Sequence, residues 1–165
     1  MLMEIELNTL KNRALQKAEL TKKLFIKLKK SKPKDLDKNF HSLHDSTFSK
    51  IDCLSCANCC KTTSPIFYLQ DIERISKALK MKVPQFISTY LHVDKDGDYV
   101  LNETPCPFLA GDNTCIVYEN RPTACREYPH TNRKRMYQIL DITFQNTSIC
   151  PAVFEIVEEL KKTVK

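Results

Sequence analysis

Glycine is nearly absent, with two residues in a chain of 165. A glycine-rich nucleotide loop is therefore not expected, nor is a Rossmann-type site for S-adenosylmethionine. Long apolar runs are missing as well. No stretch approaches the roughly 18 apolar residues of a membrane-spanning helix, so none is expected. Near the amino terminus stand Glu4 and Glu6, and no unbroken apolar run follows. A signal peptide is not expected there, and the chain reads as cytoplasmic. Internal repeats and low-complexity segments are absent. Cysteine is missing from the first 52 residues, although the chain has eight.

What is present is the composition of a globular, helix-leaning chain, 42% hydrophobic and 28% charged. At this length a core can be buried without covalent staples, so the cysteines are not needed simply to make the chain fold. Leu7, Leu10, Ala14, Ala18, Phe25 and Leu28 recur at three- or four-residue steps, with one longer gap, and predict a helix over 4–30. Lys22, Lys23, Lys27, Lys29 and Lys30 crowd its other face and its end, and Lys32-Pro33-Lys34 stops it. A second helix is expected from Asp35 to about Lys50, with Leu36, Phe40, Leu43 and Thr47 on one side. Further helices are expected over 71–80, from Val83-Pro84 onward, at Pro122 carrying Cys125, and from Pro151 to Lys162. D-K-D-G-D at 94–98 reads as a turn. Tyr99–Leu101 and Ile116–Tyr118 read as strands pairing in a small ribbon, and 134–145 stays open between strand and helix. The expected fold is mostly α with a small β-ribbon: an amino-terminal helical hairpin (1–50) packed on a cysteine-rich metal-binding domain (51–165).

The chemistry lies in the cysteines. CLSCANCC places Cys53, Cys56, Cys59 and Cys60 within eight residues, and Cys106, Cys115, Cys125 and Cys150 follow at intervals. In a reducing compartment such a cluster points to metal rather than to disulfides, and a Cys59–Cys60 bond would be strained. C-x2-C suits two thiolates on one tetrahedral ion. C-x2-C-x2-C followed by a distant Cys-Pro is also the spacing that holds a cubane iron–sulfur cluster, and both Cys106-Pro107 and Cys150-Pro151 fit the distant member. Adjacent side chains diverge on a helix or a strand. Cys59 and Cys60 are therefore expected to serve two neighbouring four-coordinate centres, or to bridge one polynuclear centre. Zinc is placed slightly ahead of iron, which includes iron as a 4Fe–4S cluster. The net charge of +6 counts cysteine as neutral. Eight thiolates and two centres of about +2 each would bring the loaded chain near +2, which removes most of the global case for nucleic acid.

Among the histidines, His41 and His44 share a helix face upstream of the cluster, and His92 reads as a helix-end residue. His41 and His44 read as surface or half-buried residues, whereas His130, soon after Cys125, is a minority candidate for a ligand or second donor. Arg121 and Arg126 flank Cys125 between Tyr118 and Tyr128. They read either as donors to backbone carbonyls or carboxylates, with Asp112 and Glu119 as candidate partners, or as cations that tune the sulfurs or admit an anion.

CLSCANCC, PCPFLAGDNTCIVYENRPTACREYPH and NTSICP together resemble the cysteine-cluster (YkgJ-like) family named for its C-x2-C-x2-C-C motif, over about residues 50–160. Its elements occur in order: the packed cluster, Cys106 to Leu109, then Cys115, Tyr118, Arg121, Pro122 and Cys125, then Cys150-Pro151. Where many members carry glycine after the second cysteine, this chain has Ala57. The resemblance implies chelation of zinc or iron and names no reaction. A flagellin lysine methylase is similar in its cysteine-rich part, which adds methyl transfer or redox chemistry to what the resemblance allows. The expected function is thus a metal-binding protein chelating zinc or iron through eight thiolates. An iron–sulfur enzyme or electron-transfer protein is the alternative, and a zinc-stabilised nucleic-acid or ribosome-associated module the third reading. Metal ions are the expected partners, with room for a protein. No nucleophile–base–acid set stands out, so no catalytic residue is assigned.

Overall fold

Apolar spacing decides most of the helices in the computed structural model, which describes residues 7–164. In chain order the elements are α1 (Leu7–Ser31), α2 (Leu36–Phe48), α3 (Cys53–Cys56), α4 (Asn58–Thr62), α5 (Leu69–Ala78), α6 (Val83–Tyr90), β1 (Leu91–Val93), β2 (Tyr99–Leu101), α7 (Thr123–Glu127), α8 (Leu140–Asn146) and α9 (Pro151–Thr163). The fold is mostly helical with one two-stranded antiparallel ribbon. The first residues of the helix expected from 4, and Glu4 and Glu6, lie outside the described residues. No helix among the described residues is long and apolar enough to cross a membrane.

The chain divides into two compact units. One joins residues 1–52 to 129–165, and the other is 53–128. In the first unit α1 buries Leu10, Ala14, Phe25 and Leu28. Thr21 fills the gap in the apolar ladder. It is buried, and its hydroxyl donates to the Lys17 carbonyl at 3.0 Å, so the polar group is satisfied within the helix. A left-handed Lys32 (φ 44°) and Pro33 turn the chain into α2. Phe25, Leu28, Leu36 and Phe40 then meet Val153, Ile156, Val157 and Leu160 of α9 in one core. Proline in the first turn starts α9 without forfeiting a hydrogen bond. Residues 134–145, open between strand and helix in the sequence, form a 3-10 turn (Met136–Gln138) and α8. Asp37 holds that turn by accepting the Arg135 and Met136 N–H groups at 2.7 and 2.8 Å.

The second unit is built around aromatic rings. Phe86 is fully buried, stacked on Phe108 at 6.0 Å and packed beside Tyr90 at 5.2 Å. Phe67, Ile72, Ile75, Leu91, Leu101 and Val117 complete this core. The ribbon corrects one expectation. Tyr99–Leu101 pairs with Leu91–Val93, in the register Leu91↔Leu101, and not with Ile116–Tyr118. The reason is loop closure. Asp94 accepts the Asp96 and Asp98 N–H groups at 2.9 and 3.0 Å, and Gly97 takes φ 89°, so the local turn closes with little chain to order. His92 accordingly lies in β1 rather than at a helix end. Ile116 instead donates its N–H to the Phe108 carbonyl at 2.9 Å, and Tyr118–Asn120 coils into a 3-10 turn.

Candidate metal centre

Seven of the eight cysteines lie in the second unit, and Cys150 lies in the first. None forms a disulfide. Cys53 and Cys56 are the ends of α3, and the Ala57 N–H closes it onto the Cys53 carbonyl at 2.8 Å. Ala57 then adopts a left-handed φ of 47° while buried. That turn splits C-x2-C-x2-C between two short helices and re-aims the third cysteine. A left-handed residue favours glycine, and alanine there costs on the order of 1 kcal/mol.

Cys59 and Cys60 follow in α4 with their sulfurs 4.0 Å apart. Two sulfurs on one tetrahedral ion, each about 2.3 Å from it, are separated by about 3.8 Å. The adjacent pair therefore does not diverge as far as helix geometry alone suggested. The Cys60 carbonyl accepts the Cys106 N–H at 2.8 Å, which ties the packed run to the CPFL element.

Core residues set the other cysteines. Phe108 lies two residues after Cys106, and Val117 two after Cys115; both are buried. These anchors turn backbone amides toward sulfur, the Phe108 N–H toward Cys106 and the Val117 N–H toward Cys115, while the Leu109 N–H donates to the Cys106 carbonyl at 3.0 Å. Amides aimed at sulfur favour the thiolate. The loop between closes through Asp112, which accepts the Thr114 N–H at 3.0 Å and its hydroxyl at 2.7 Å, and through an isolated bridge between Leu109 and Cys115.

The Cys60 thiol lies close enough to Cys106, Cys115 and Cys125 for its charge to bear on all three. Burial pushes Cys106 up to about 11, and the neighbouring thiols of Cys60 and Cys115 add to it. Burial likewise pushes Cys125 up to about 12, with Cys60, Cys106 and Cys115 adding and Arg121 opposing. Cys115 is raised for the same reasons, burial first and Cys60 second, again against Arg121. Cys60 moves the other way, down to about 7, chiefly because the Cys59 thiol hydrogen-bonds its sulfur. Among the described residues no three His, Cys, Asp or Glu side chains converge as they stand to hold one ion. The donor set nonetheless suits a thiophilic metal: soft sulfurs, backbone amides on two of them, and a cation beside them.

A family model, CxxCxxCC, described as "Putative zinc- or iron-chelating domain", matches residues 52–150. The chain belongs to the CxxCxxCC family. No curated protein and no solved structure gives a match.

The CxxCxxCC match runs from just before Cys53 to Cys150, which immediately precedes α9 and packs against the core of the first unit. Arg121 and Arg126, within it, donate to backbone. Arg121 reaches the Tyr118 carbonyl at 2.6 Å with its guanidinium over the Tyr118 ring, and Arg126 reaches the carbonyls of Glu119 and Arg121. Asp112 is spent on its own loop, and Glu119 contributes its carbonyl. The histidines of the first unit are engaged elsewhere: His41 with the Arg133 carbonyl at 2.9 Å and His44 with the Thr131 hydroxyl at 2.8 Å. His130 sits in the first unit at φ 66°. Sequence reading overlooked Asp71, Arg74 and Thr123. Asp71 sits three residues after Tyr68 at the start of a helix, which marks a cap, but nothing local says that it reaches Thr123.

Proposed function

We propose that the protein chelates zinc or iron through its thiolates in two neighbouring centres. One centre takes Cys60, Cys106, Cys115 and Cys125; Cys53, Cys56 and Cys59 begin the other. The observation that supports this is that Cys60, from the packed run, bears by its charge on Cys106, Cys115 and Cys125 of the scattered set and accepts the Cys106 N–H on its carbonyl at 2.8 Å. Metal entry draws the sulfurs inward and releases their protons. Cys150 enters through the family pattern alone, and Cys150→Ser tests it by metal content. When bound, zinc supplies structural cross-linking and iron–sulfur supplies electron transfer. Zinc is favoured by complete four-thiolate sets. Elemental analysis with a visible spectrum of anaerobically purified, cytoplasmically expressed chain decides the metal. The expected result is colourless protein with about two zinc per chain. Brown protein whose absorbance bleaches with dithionite assigns iron–sulfur instead, and metal-free folded protein overturns chelation.

One observation favours a second role. Lys11, Lys17, Lys23, Lys27 and Lys30 of α1 have no acidic partner among the described residues, whereas Lys29 pairs with Asp141 and Lys22 stands over the Phe144 ring. A row of unpaired cations suits a phosphate backbone. Binding to a single-stranded RNA probe is expected to weaken with salt, and to lose about 0.7 unit of log–log slope per lysine replaced by glutamine. Unchanged affinity in the Lys23, Lys27, Lys30→Gln triple variant would count against it.

A further inference from the structure

Cys125 is the third residue of α7, a helix of five residues. A helix that short has no stability of its own, and Pro122 before it offers no side-chain cap. Asp71 supplies what is missing. Its carboxylate is 1% exposed. Oδ1 accepts the Thr123 N–H at 3.1 Å, the Thr123 hydroxyl at 2.9 Å and the Arg74 guanidinium at 2.7 Å. Oδ2 accepts the Tyr68 N–H at 3.2 Å, closing the capping box of α5. One carboxylate thus caps two helices, its own and the one that carries Cys125. The same Arg74 guanidinium donates to the carbonyls of Asn120 at 3.3 Å and Arg121 at 2.9 Å. Residues 120, 121 and 123 are therefore clamped from α5 just before the chain reaches the sulfur.

We propose that Asp71 and Arg74 are positioning residues for metal binding: they fix residues 120–123 so that α7 delivers the Cys125 thiol to Cys60, Cys106 and Cys115. The inference rests on the four-thiol reading above and adds the scaffold behind one ligand. A buried ion pair that merely stabilises the unit would lower melting temperature and metal affinity alike, whatever stands at 125. A positioning pair acts through the sulfur and loses its effect on the metal when the sulfur is gone.

The test is a double-mutant cycle on the full chain, read as zinc affinity by competition with a chromogenic chelator. Asp71→Asn is expected to weaken zinc binding about tenfold or more when Cys125 is present. In a Cys125→Ser background the same change is expected to cost less than about twofold. Equal losses in both backgrounds overturn the inference and leave Asp71 a stabilising residue. So does an unchanged affinity in Asp71→Asn alongside a weakened Cys125→Ser, with the four-thiol reading intact. If Cys125→Ser binds zinc as tightly as the native chain, the four-thiol reading itself fails and takes the inference with it. Should Asp71→Asn not fold, Arg74→Lys, which cannot span the carboxylate and both carbonyls, and Thr123→Val run the same cycle. Coupling to Cys125 in either supports the clamp, and additivity in both overturns it. Cobalt in place of zinc gives an independent readout: sulfur-to-cobalt absorbance falls in Asp71→Asn and is restored by no added metal if one thiolate is misplaced.

Discussion

Cys60→Ser is expected to abolish loading of the centre it shares with Cys106, Cys115 and Cys125, whereas Cys59→Ser leaves that centre able to load. The difference follows from position. Cys60 raises the proton affinity of all three partner thiols and is tied to Cys106 through its own carbonyl at 2.8 Å. Cys59 is joined to that group through its hydrogen bond to the Cys60 sulfur. A serine hydroxyl is a poor substitute for a thiolate, and a structural zinc site is worth on the order of 10 kcal/mol at neutral pH. Loss of one ligand from four should thus show as a missing equivalent of metal. Metal-to-protein ratios of the two variants, purified side by side without chelator, give the answer. Cys59→Ser should keep the Cys60 equivalent and bind it less tightly, because the bond that holds the Cys60 thiol low has gone. Identical loss of all metal from both variants would leave one bridged polynuclear cluster as the better account, in keeping with sulfurs only 4.0 Å apart.

The extent to which the sequence announced this arrangement depends on how local each signal was. The helices were legible because apolar spacing over two turns or more reports the buried face directly, and Thr21 shows that a satisfied hydroxyl can stand in that face without breaking it. The ribbon partner was misread because Tyr99–Leu101 had two candidate strands. The choice lay in the Asp94 side chain and in Gly97, which close the nearer turn. All eight cysteines were legible as a class, since thiols at those spacings have few other uses. Their grouping was not. The proposed grouping of Cys60 with the scattered cysteines rests on its charge reaching Cys106, Cys115 and Cys125, whose loops are anchored by the buried Phe108 and Val117 two residues beyond Cys106 and Cys115. Local pattern is equally silent on α9, whose apolar face suits any partner but packs with α1 and α2. The clamp of Asp71 on Thr123 spans 52 positions of sequence, so only the folded chain reveals it.

Metal affinity is expected to rise by more than a thousandfold for each unit of pH near neutrality. Cys106 and Cys125, pushed up to about 11 and about 12, and the raised Cys115 are protonated at pH 7, while Cys60, near 7, is about half ionised. Filling this set with one ion therefore expels three protons from the raised thiols and about half a proton from Cys60, and each proton released makes affinity about tenfold per pH unit steeper. Titration calorimetry in buffers of different ionisation enthalpy counts these protons directly. A count near zero or one per ion would show that the ion enters elsewhere. The metal-free fold has the opposite sensitivity. The raised thiols hold their protons more tightly folded than unfolded, where the ordinary value is near 9. Their contribution is full below about pH 9 and is lost as pH climbs through about 11 to 12. Cys60 runs in reverse, contributing above about 9 and losing it as pH falls through about 7. Acidifying from pH 8 to pH 5 should accordingly collapse the melting temperature of the loaded chain and lower that of the metal-free chain by the shares of Cys60 and of His44, whose burial lowers its proton affinity. The two curves should meet where the metal leaves, because below that pH both samples are the same protein.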